Sequence, residues 1–221
     1  MRRIELTFGI LAVLLILCSG TINTANSEQD DRSIISSMFP GKSFSLAGNL
    51  YVDEITQQSY YIEKIIHGSF VFPGNQEYLV IVRRPENESS HAEGFYQAYV
   101  AVFDKSTNRR LSETQLFCAD EGYITLFSDG KVNYLFFAGG TTYQGWTTWN
   151  GGLWKAGKNW TKLWPEDDAY WEDKYPRATS EGLTILRRKL LPLASGQVIP
   201  DYEWEHSYFL KWDPEKACFE Q

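Results

Sequence analysis

The chain has 221 residues, with 28 acidic and 21 basic side chains and a formal net charge of −7. Nucleic-acid affinity depends on clustered lysines and arginines that neutralise phosphates, so an acidic chain without a basic cluster is not expected to bind DNA or RNA. Its length suffices for one domain with a hydrophobic core.

The N-terminal 25 residues have the layout of a secretory signal peptide. Arg2 and Arg3 precede an unbroken apolar run at residues 10–17, and a polar segment follows it. The order of a basic start, a short apolar run and a polar region is typical of export signals. The run is shorter than the roughly 20 residues that a membrane-spanning helix needs. We therefore expect the protein to act outside the cytoplasm.

Two ways of processing this signal fit the sequence. The stretch "LILCSG" resembles the lipobox of bacterial lipoproteins, and Leu15 and Cys18 match that pattern, whereas Leu17 stands where a small residue is usual. The resemblance implies that Cys18 is lipidated and holds the protein on a membrane surface. Ordinary cleavage after Gly20 or Ala25 is the alternative. Residues 26–42 are then predicted to be a polar tether with a short helix at 30–38.

Residues 43–221 are predicted to form one all-β domain of about three four-stranded antiparallel meanders, resembling propeller blades. β-branched and aromatic runs alternate with turns rich in Gly, Asn, Asp and Pro. Residues 73–82 align without gaps on 129–138, so that Tyr78 matches Tyr134. A strand–turn–strand pattern also recurs at 98–117, 151–164 and 207–220. The predicted units are about 60–117, 118–165 and 170–221.

The turn-and-strand elements "GSFVFPGNQEYLV" and "TLFSDGKVNYLF" resemble FG-GAP and VCBS-type repeats of exported β-propellers. The calcium loop of those repeats is not expected here, because each turn supplies at most one carboxylate. Three blades are fewer than the four to eight of ordinary propellers. Closure by residues 43–60, pairing of two chains, and packing as a sandwich or open barrel remain open.

The segment "GTTYQGWTTWNGGLW" at residues 140–154 is rich in aromatic side chains. Side chains alternate along a strand, so Trp146 and Trp149 should point to opposite faces. Core positions are therefore the favoured interpretation. The alternative is a glycan-binding groove. Its residues would be Tyr143, Gln144, Trp146, Trp149, Asn150 and Trp154.

Cys118 and Cys218 are candidates for a disulfide, because the expected compartment is oxidising. Such a bond would close a loop of about 100 residues and stabilise the fold by about 4 to 5 kcal/mol in the chain-entropy model. Two buried free thiols are the alternative. Neither cysteine belongs to a CxxC pair, so no zinc or redox site is expected.

No cofactor or metal is expected. His67, His91 and His206 are far apart and lack metal-ligand spacing. The acidic runs at 166–173 and 201–205 are interpreted as a solvated loop and a charged strand edge. Paired carboxylates within them would be the basis of a hydrolase.

We therefore expect an exported, membrane-tethered, non-catalytic binding or interaction module of the cell envelope. Its partner would be an envelope protein or a glycan, and self-association is a further possibility. The two alternatives are a glycan-binding module that uses residues 143–164 and a secreted carboxylate-dependent hydrolase. Architecture alone does not separate them, because similar folds host binding and catalysis alike.

Overall fold

A computed structural model describes residues 24–88, 94–143, 146–172, 174–198 and 200–221, without the side chains of 24–30, 143, 146 and 166–170. Cys18 and residues 1–23 of the predicted signal peptide lie outside this part of the chain. Within it, no helix is long and apolar enough to cross a membrane.

The described residues form one α-helix, a short 3-10 helix at Glu86–Glu88, and three antiparallel sheets. The helix, α1, spans Thr24–Met38. Sheet 1 contains β1 (Phe44–Ala47), β2 (Leu50–Asp53), β3 (Ser59–Gly68), β4 (Glu77–Arg83), β5 (Tyr96–Asp104) and β6 (Arg110–Cys118). Sheet 2 contains β7 (Gly122–Ser128), β8 (Asn133–Tyr143), β9 (Trp146–Lys155) and β10 (Thr161–Glu172). Sheet 3 contains β11 (Lys174–Thr179), β12 (Gly182–Leu190), β13 (Tyr202–Asp213) and β14 (Cys218–Glu220).

The prediction of an all-β fold built from antiparallel meanders is confirmed, because strands follow one another in chain order within each sheet. The strands β3–β6, β7–β10 and β11–β14 correspond to the three predicted units. The largest departure is β10, which continues to Glu172 rather than ending near 165. The extra strands β1 and β2 extend sheet 1 to six strands.

Helix α1 and sheets 1, 2 and 3 form four layers in a row, and a hydrophobic core lies between each layer and the next. The helix core lies between α1 and one face of sheet 1, around Ile35, Tyr60 and Val80, and it includes side chains of β1 and β2. The first inter-sheet core joins the other face of sheet 1 to sheet 2, around Leu79 and Leu135. The second inter-sheet core joins sheets 2 and 3. Strand β4 is buried along its whole length because it is covered on both faces.

The row is open. Among the described residues, none of the three cores contains side chains of both sheet 1 and sheet 3. Residues 43–60 add strands to the edge of sheet 1 and do not close a ring. Of the arrangements left open by the sequence, sheets packed face to face as in a sandwich describe this row best.

The predicted polar tether is wrong from residue 31 onward, because α1 belongs to the packed domain. Ile35 is fully buried and Met38 is nearly so. Their spacing of three residues, with Ile34 beside them, places an apolar stripe on one side of the helix. The predicted helix at 30–38 is confirmed, but it begins earlier, at Thr24.

The gapless match between residues 73–82 and 129–138 is offset by one residue from the structural equivalence of the two strands. Tyr78 faces the helix core, whereas Tyr134 faces the second inter-sheet core. Tyr78 pairs with Phe103 and Leu135 pairs with Trp154, and both partners directly precede the next turn. Tyr78 and Leu135 are therefore structural equivalents. A slip of one residue in a strand moves every side chain to the other face, which the sequence match cannot detect.

The recurrent turns depend on aspartates. Asp53, Asp104 and Asp213 each accept hydrogen bonds from the backbone N–H groups two and three residues later. The residue four positions later has positive φ in each turn: 58° at Gln57, 53° at Asn108 and 50° at Ala217. The sequence pattern predicts a turn after β5 and after β13, and the structure shows a third such turn between β2 and β3. Side-chain capping of this kind is what Asp offers a turn.

Candidate functional site

Two tryptophans of the predicted groove do not share a face. Trp149 is buried in the second inter-sheet core and Trp154 packs against the first, so the two rings lie on opposite faces of β9. Asn150 is exposed. The side chains of Tyr143, Gln144 and Trp146 lie outside the described residues. The core interpretation is confirmed for Trp149, and a buried ring cannot stack on a sugar.

The predicted disulfide is also wrong, because Cys118 and Cys218 are free thiols. Cys118 ends β6 beside sheet 2, and its Sγ donates to the carbonyl of Glu121 at 3.1 Å. Cys218 lies on β14 in sheet 3, at the far side of the row. Burial raises the pKa of the Cys118 thiol to about 11, so it is an inert packing group.

The acidic run at 201–205 is neutralised by its neighbours. Lys189 Nζ lies 3.1 Å from Glu203 Oε1, and Arg187 pairs with Glu205. Asp201 accepts a hydrogen bond from Gln197 Nε2 at 2.9 Å. In the run at 166–173, the side chains of 166–168 and residue 173 lie outside the described part, and Glu172 is exposed. Among the described residues, no cluster of His, Cys, Asp and Glu is arranged to hold a metal ion.

A cavity of about 360 Å³ lies where α1 crosses the end of sheet 1. Three side chains from adjacent strands form one row of its wall, because His67 pairs with Tyr78 and Tyr78 pairs with Phe103. Tyr78 and Phe103 stack with ring centroids 5.2 Å apart and planes 10° apart. This stack is buried and belongs to the helix core, so the wall is rigid.

The turn after β5 supplies the polar rim of this cavity. Lys105 and Asn108 both line it, and Tyr78 Oη donates to Asn108 Oδ1 at 3.2 Å. The turn is held by Asp104, whose Oδ1 accepts from the hydroxyls of Ser106 and Thr107 at 2.6 and 2.8 Å. These hydrogen bonds lower the pKa of Asp104 to about 2. Asp104 thereby holds the backbone of the turn that carries Lys105 and Asn108.

Helix α1 closes the cavity from the opposite side. Asp31, Ser33, Ile34 and Ser37 face it from successive turns of the helix. Ile65 of β3 adds an apolar edge. The cavity thus combines a ring-lined floor with a carboxylate, an ammonium group, an amide and two hydroxyls. Such a mixture can bind a polar ligand that has one apolar side.

Few features of the sequence indicate this site. His67 stands far from the other histidines and shows no metal-ligand spacing. Its partners Tyr78 and Phe103 are ordinary apolar strand residues, and α1 was expected to be a tether. The strand register of β3, β4 and β5 brings these residues together. The gapless sequence match between residues 73–82 and 129–138 is offset from the structural equivalence by one residue, so it does not reveal that register.

Comparisons with family models, with curated proteins and with solved structures found no match to this chain.

Proposed function

We propose that this protein is an exported, membrane-tethered binding module of the cell envelope, which captures a small polar ligand between α1 and sheet 1 without transforming it. The predicted export signal and the lipobox-like sequence around Cys18 support the location. The cavity is the observation that carries the binding role. Its volume of about 360 Å³ falls within the range of roughly 300 to 1,000 Å³ common for small-molecule sites.

The ligand that fits best has the size of one or two sugar rings or a short peptide. Its apolar side would lie on Ile34, Ile65 and the His67 ring, above the buried Tyr78–Phe103 stack. Its polar groups would meet Lys105 and Asn108 on one side and Asp31 on the other. A ligand that bridges α1 and sheet 1 would also tighten the contact between them, since binding to the folded state alone stabilises it.

A binding role suits the described carboxylates better than a hydrolytic one. The buried Glu77 accepts three backbone N–H groups, from Phe70, Val71 and Phe72. Glu203 and Glu205 are paired with cations of β12. Both sets are engaged in the fold, whereas a glycosidase needs two carboxyl groups that face one substrate.

The test is ligand-observed NMR and calorimetry on the intact protein with monosaccharides, N-acetylhexosamine oligosaccharides and short peptides. Lys105→Ala should weaken binding about tenfold, the usual effect of losing one charge-assisted hydrogen bond. Ser37→Leu should block the cavity from the helix side. Lys158→Ala, in the corresponding turn of sheet 2, is the control and should bind normally.

Two results would contradict the proposal. Affinity that is the same in the Lys105 and Ser37 variants as in the original chain would place the ligand elsewhere. Conversion of the ligand into a product during the titration would mean that the protein is an enzyme.

A further inference from the structure

The β12–β13 hairpin exposes apolar side chains in a way that no other part of the described chain does. Leu190 and Tyr202 are the last pair of the hairpin, and both are half exposed. Beyond them, Leu193 is 57% exposed and Val198 is 91% exposed. Isolated exposed apolar residues are common, but four on one hairpin end form a patch with a role to explain. We call residues 190–198 and 202 the hairpin tip.

The tip is ordered by its own hydrogen bonds. Leu191 N–H donates to the carbonyl of Asp201 at 2.8 Å, and Gln197 N–H donates to that of Ala194 at 3.0 Å. The Gln197 side chain accepts from Ala194 N–H and donates to Asp201, both at 2.9 Å. Pro192 has no N–H to satisfy. Several backbone N–H and C=O groups of the tip are thus hydrogen-bonded within the tip itself, while its apolar side chains are exposed to solvent.

Polarity changes in steps along the hairpin. Leu193 and Val198 flank the exposed turn at Ser195 and Gly196 that forms the end. Next come Tyr202 and Trp204, whose ring centroids are 5.5 Å apart. The Arg188 guanidinium lies over the Tyr202 ring at 4.8 Å, at the level where the cross-strand ion pairs begin.

This order matches the profile of a bilayer surface, where apolar groups enter the acyl boundary, Tyr and Trp lie at the headgroups, and Arg and Lys reach phosphates. We propose that the hairpin tip inserts into the surface of a phospholipid bilayer. The insertion is shallow, because only a few side chains can enter. It holds the domain at the membrane in a fixed orientation.

A second copy of the chain is a poorer occupant. A stable protein interface engages about 20 to 30 residues a side, whereas the tip is a small projection with four exposed apolar side chains. Charge gives a further criterion. Arg187, Arg188 and Lys189 are balanced by Asp201, Glu203 and Glu205, so the hairpin is neutral at its base. Binding should therefore depend on insertion and change little between about 0.1 and 1 M salt.

The experiment uses the full chain and vesicles of phosphatidylethanolamine and phosphatidylglycerol, followed by hydrogen–deuterium exchange of peptides from the whole protein. Local exchange is needed because the N-terminal segment can bind membranes by itself. We expect slower exchange in peptides that cover 188–204 when vesicles are present. Leu193→Ser with Val198→Ser should abolish this protection, even though the N-terminal segment still holds the chain on the vesicles.

Ile55→Ser is the matched control, because Ile55 is 82% exposed in the β2–β3 turn at the other end of the row. It should leave protection of the tip unchanged. Vesicle-bound protein whose tip exchanges as fast as in solution would overturn the proposal. Protection that grows with protein concentration in the absence of vesicles would also overturn it, in favour of self-association. Neither outcome depends on the cavity at α1.

Discussion

The two ends of the row of sheets differ in how they are covered. At one end, α1 lies on sheet 1 and buries Ile35 and Met38 in the helix core. At the other end, the outer face of sheet 3 carries Thr184 and its cross-strand neighbour Phe209, which is 36% exposed. The corresponding outward positions of sheets 1 and 2, such as Leu79 and Phe136, are fully apolar and fully buried.

This difference explains why the three described sheets form an open row and not a ring. A fourth sheet would need an apolar face to pack against, and Thr184 and the neighbouring basic side chains do not offer one. The helix fulfils at sheet 1 the role that a preceding sheet fulfils at sheets 2 and 3. It also leaves a cavity, because a cylinder does not match a twisted sheet along its whole length. The covered end is thus suited to a small ligand, and the uncovered end to a surface.

The largest expected loss of stability comes from a tryptophan in an inter-sheet core, compared with a tryptophan on the β12–β13 hairpin. Trp149 is buried between sheets 2 and 3, so Trp149→Ala should lower the free energy of unfolding by about 3 to 5 kcal/mol. Trp204 is half-buried on the hairpin, so Trp204→Ala should cost about 1 kcal/mol. Urea denaturation of both variants measures the difference. Similar losses would mean that the hairpin is packed as tightly as the core.

The helix end can be tested in the same way. Ile35→Ala removes a fully buried side chain and should cost about 2 to 5 kcal/mol. Phe209→Ala, at the opposite end, removes a larger but partly exposed ring and should cost less than Ile35→Ala. If the Ile35 variant retained full stability, α1 would be a detachable tether as the sequence first suggested.

Some features of this molecule follow from its sequence, and others depend on long-range packing. Strand runs, turns and their spacing predicted the three meanders, because short-range patterns of apolar and turn residues determine them. Tyr78 and Tyr134 looked equivalent and are not, since a single-residue offset leaves a sequence match intact but reverses the face. The cavity needed α1, β3, β4 and the β5–β6 turn together, and such long-range packing leaves no local pattern. The same holds for Cys118 and Cys218, which spacing alone could not place in separate sheets.

A smaller effect should appear in the pH dependence of the two end turns. The Lys42 ammonium, 2.6 Å from Asp53, lowers the pKa of that carboxyl, and backbone N–H groups of Lys216 and Glu215 lower the pKa of Asp213. A lowered pKa in the folded state stabilises the protein above the usual value near 4, and this contribution is lost as the pH falls below it. Asp53→Asn and Asp213→Asn should therefore lower Tm at neutral pH, and both differences should shrink in acid.

The Asp53 variant should show the larger change in Tm, because its side chain is 2% exposed whereas that of Asp213 is 24% exposed. Thermal unfolding followed by circular dichroism between neutral pH and pH about 2 measures both variants against the original chain. A difference that persisted undiminished in acid would show that the asparagine disturbs packing instead of removing a charge.

The smallest expected effect on stability comes from the hairpin tip. Leu193→Ser and Val198→Ser change side chains that already face solvent, so each should alter the free energy of unfolding by less than about 0.5 kcal/mol. Urea denaturation without vesicles checks this, with Ile55→Ser as the reference at another exposed position. A stable variant that no longer protects its tip on vesicles separates the role of these side chains in docking from any role in folding. A loss of several kcal/mol would instead mean that the tip packs against the domain in solution, and the contrast between the two ends would then disappear.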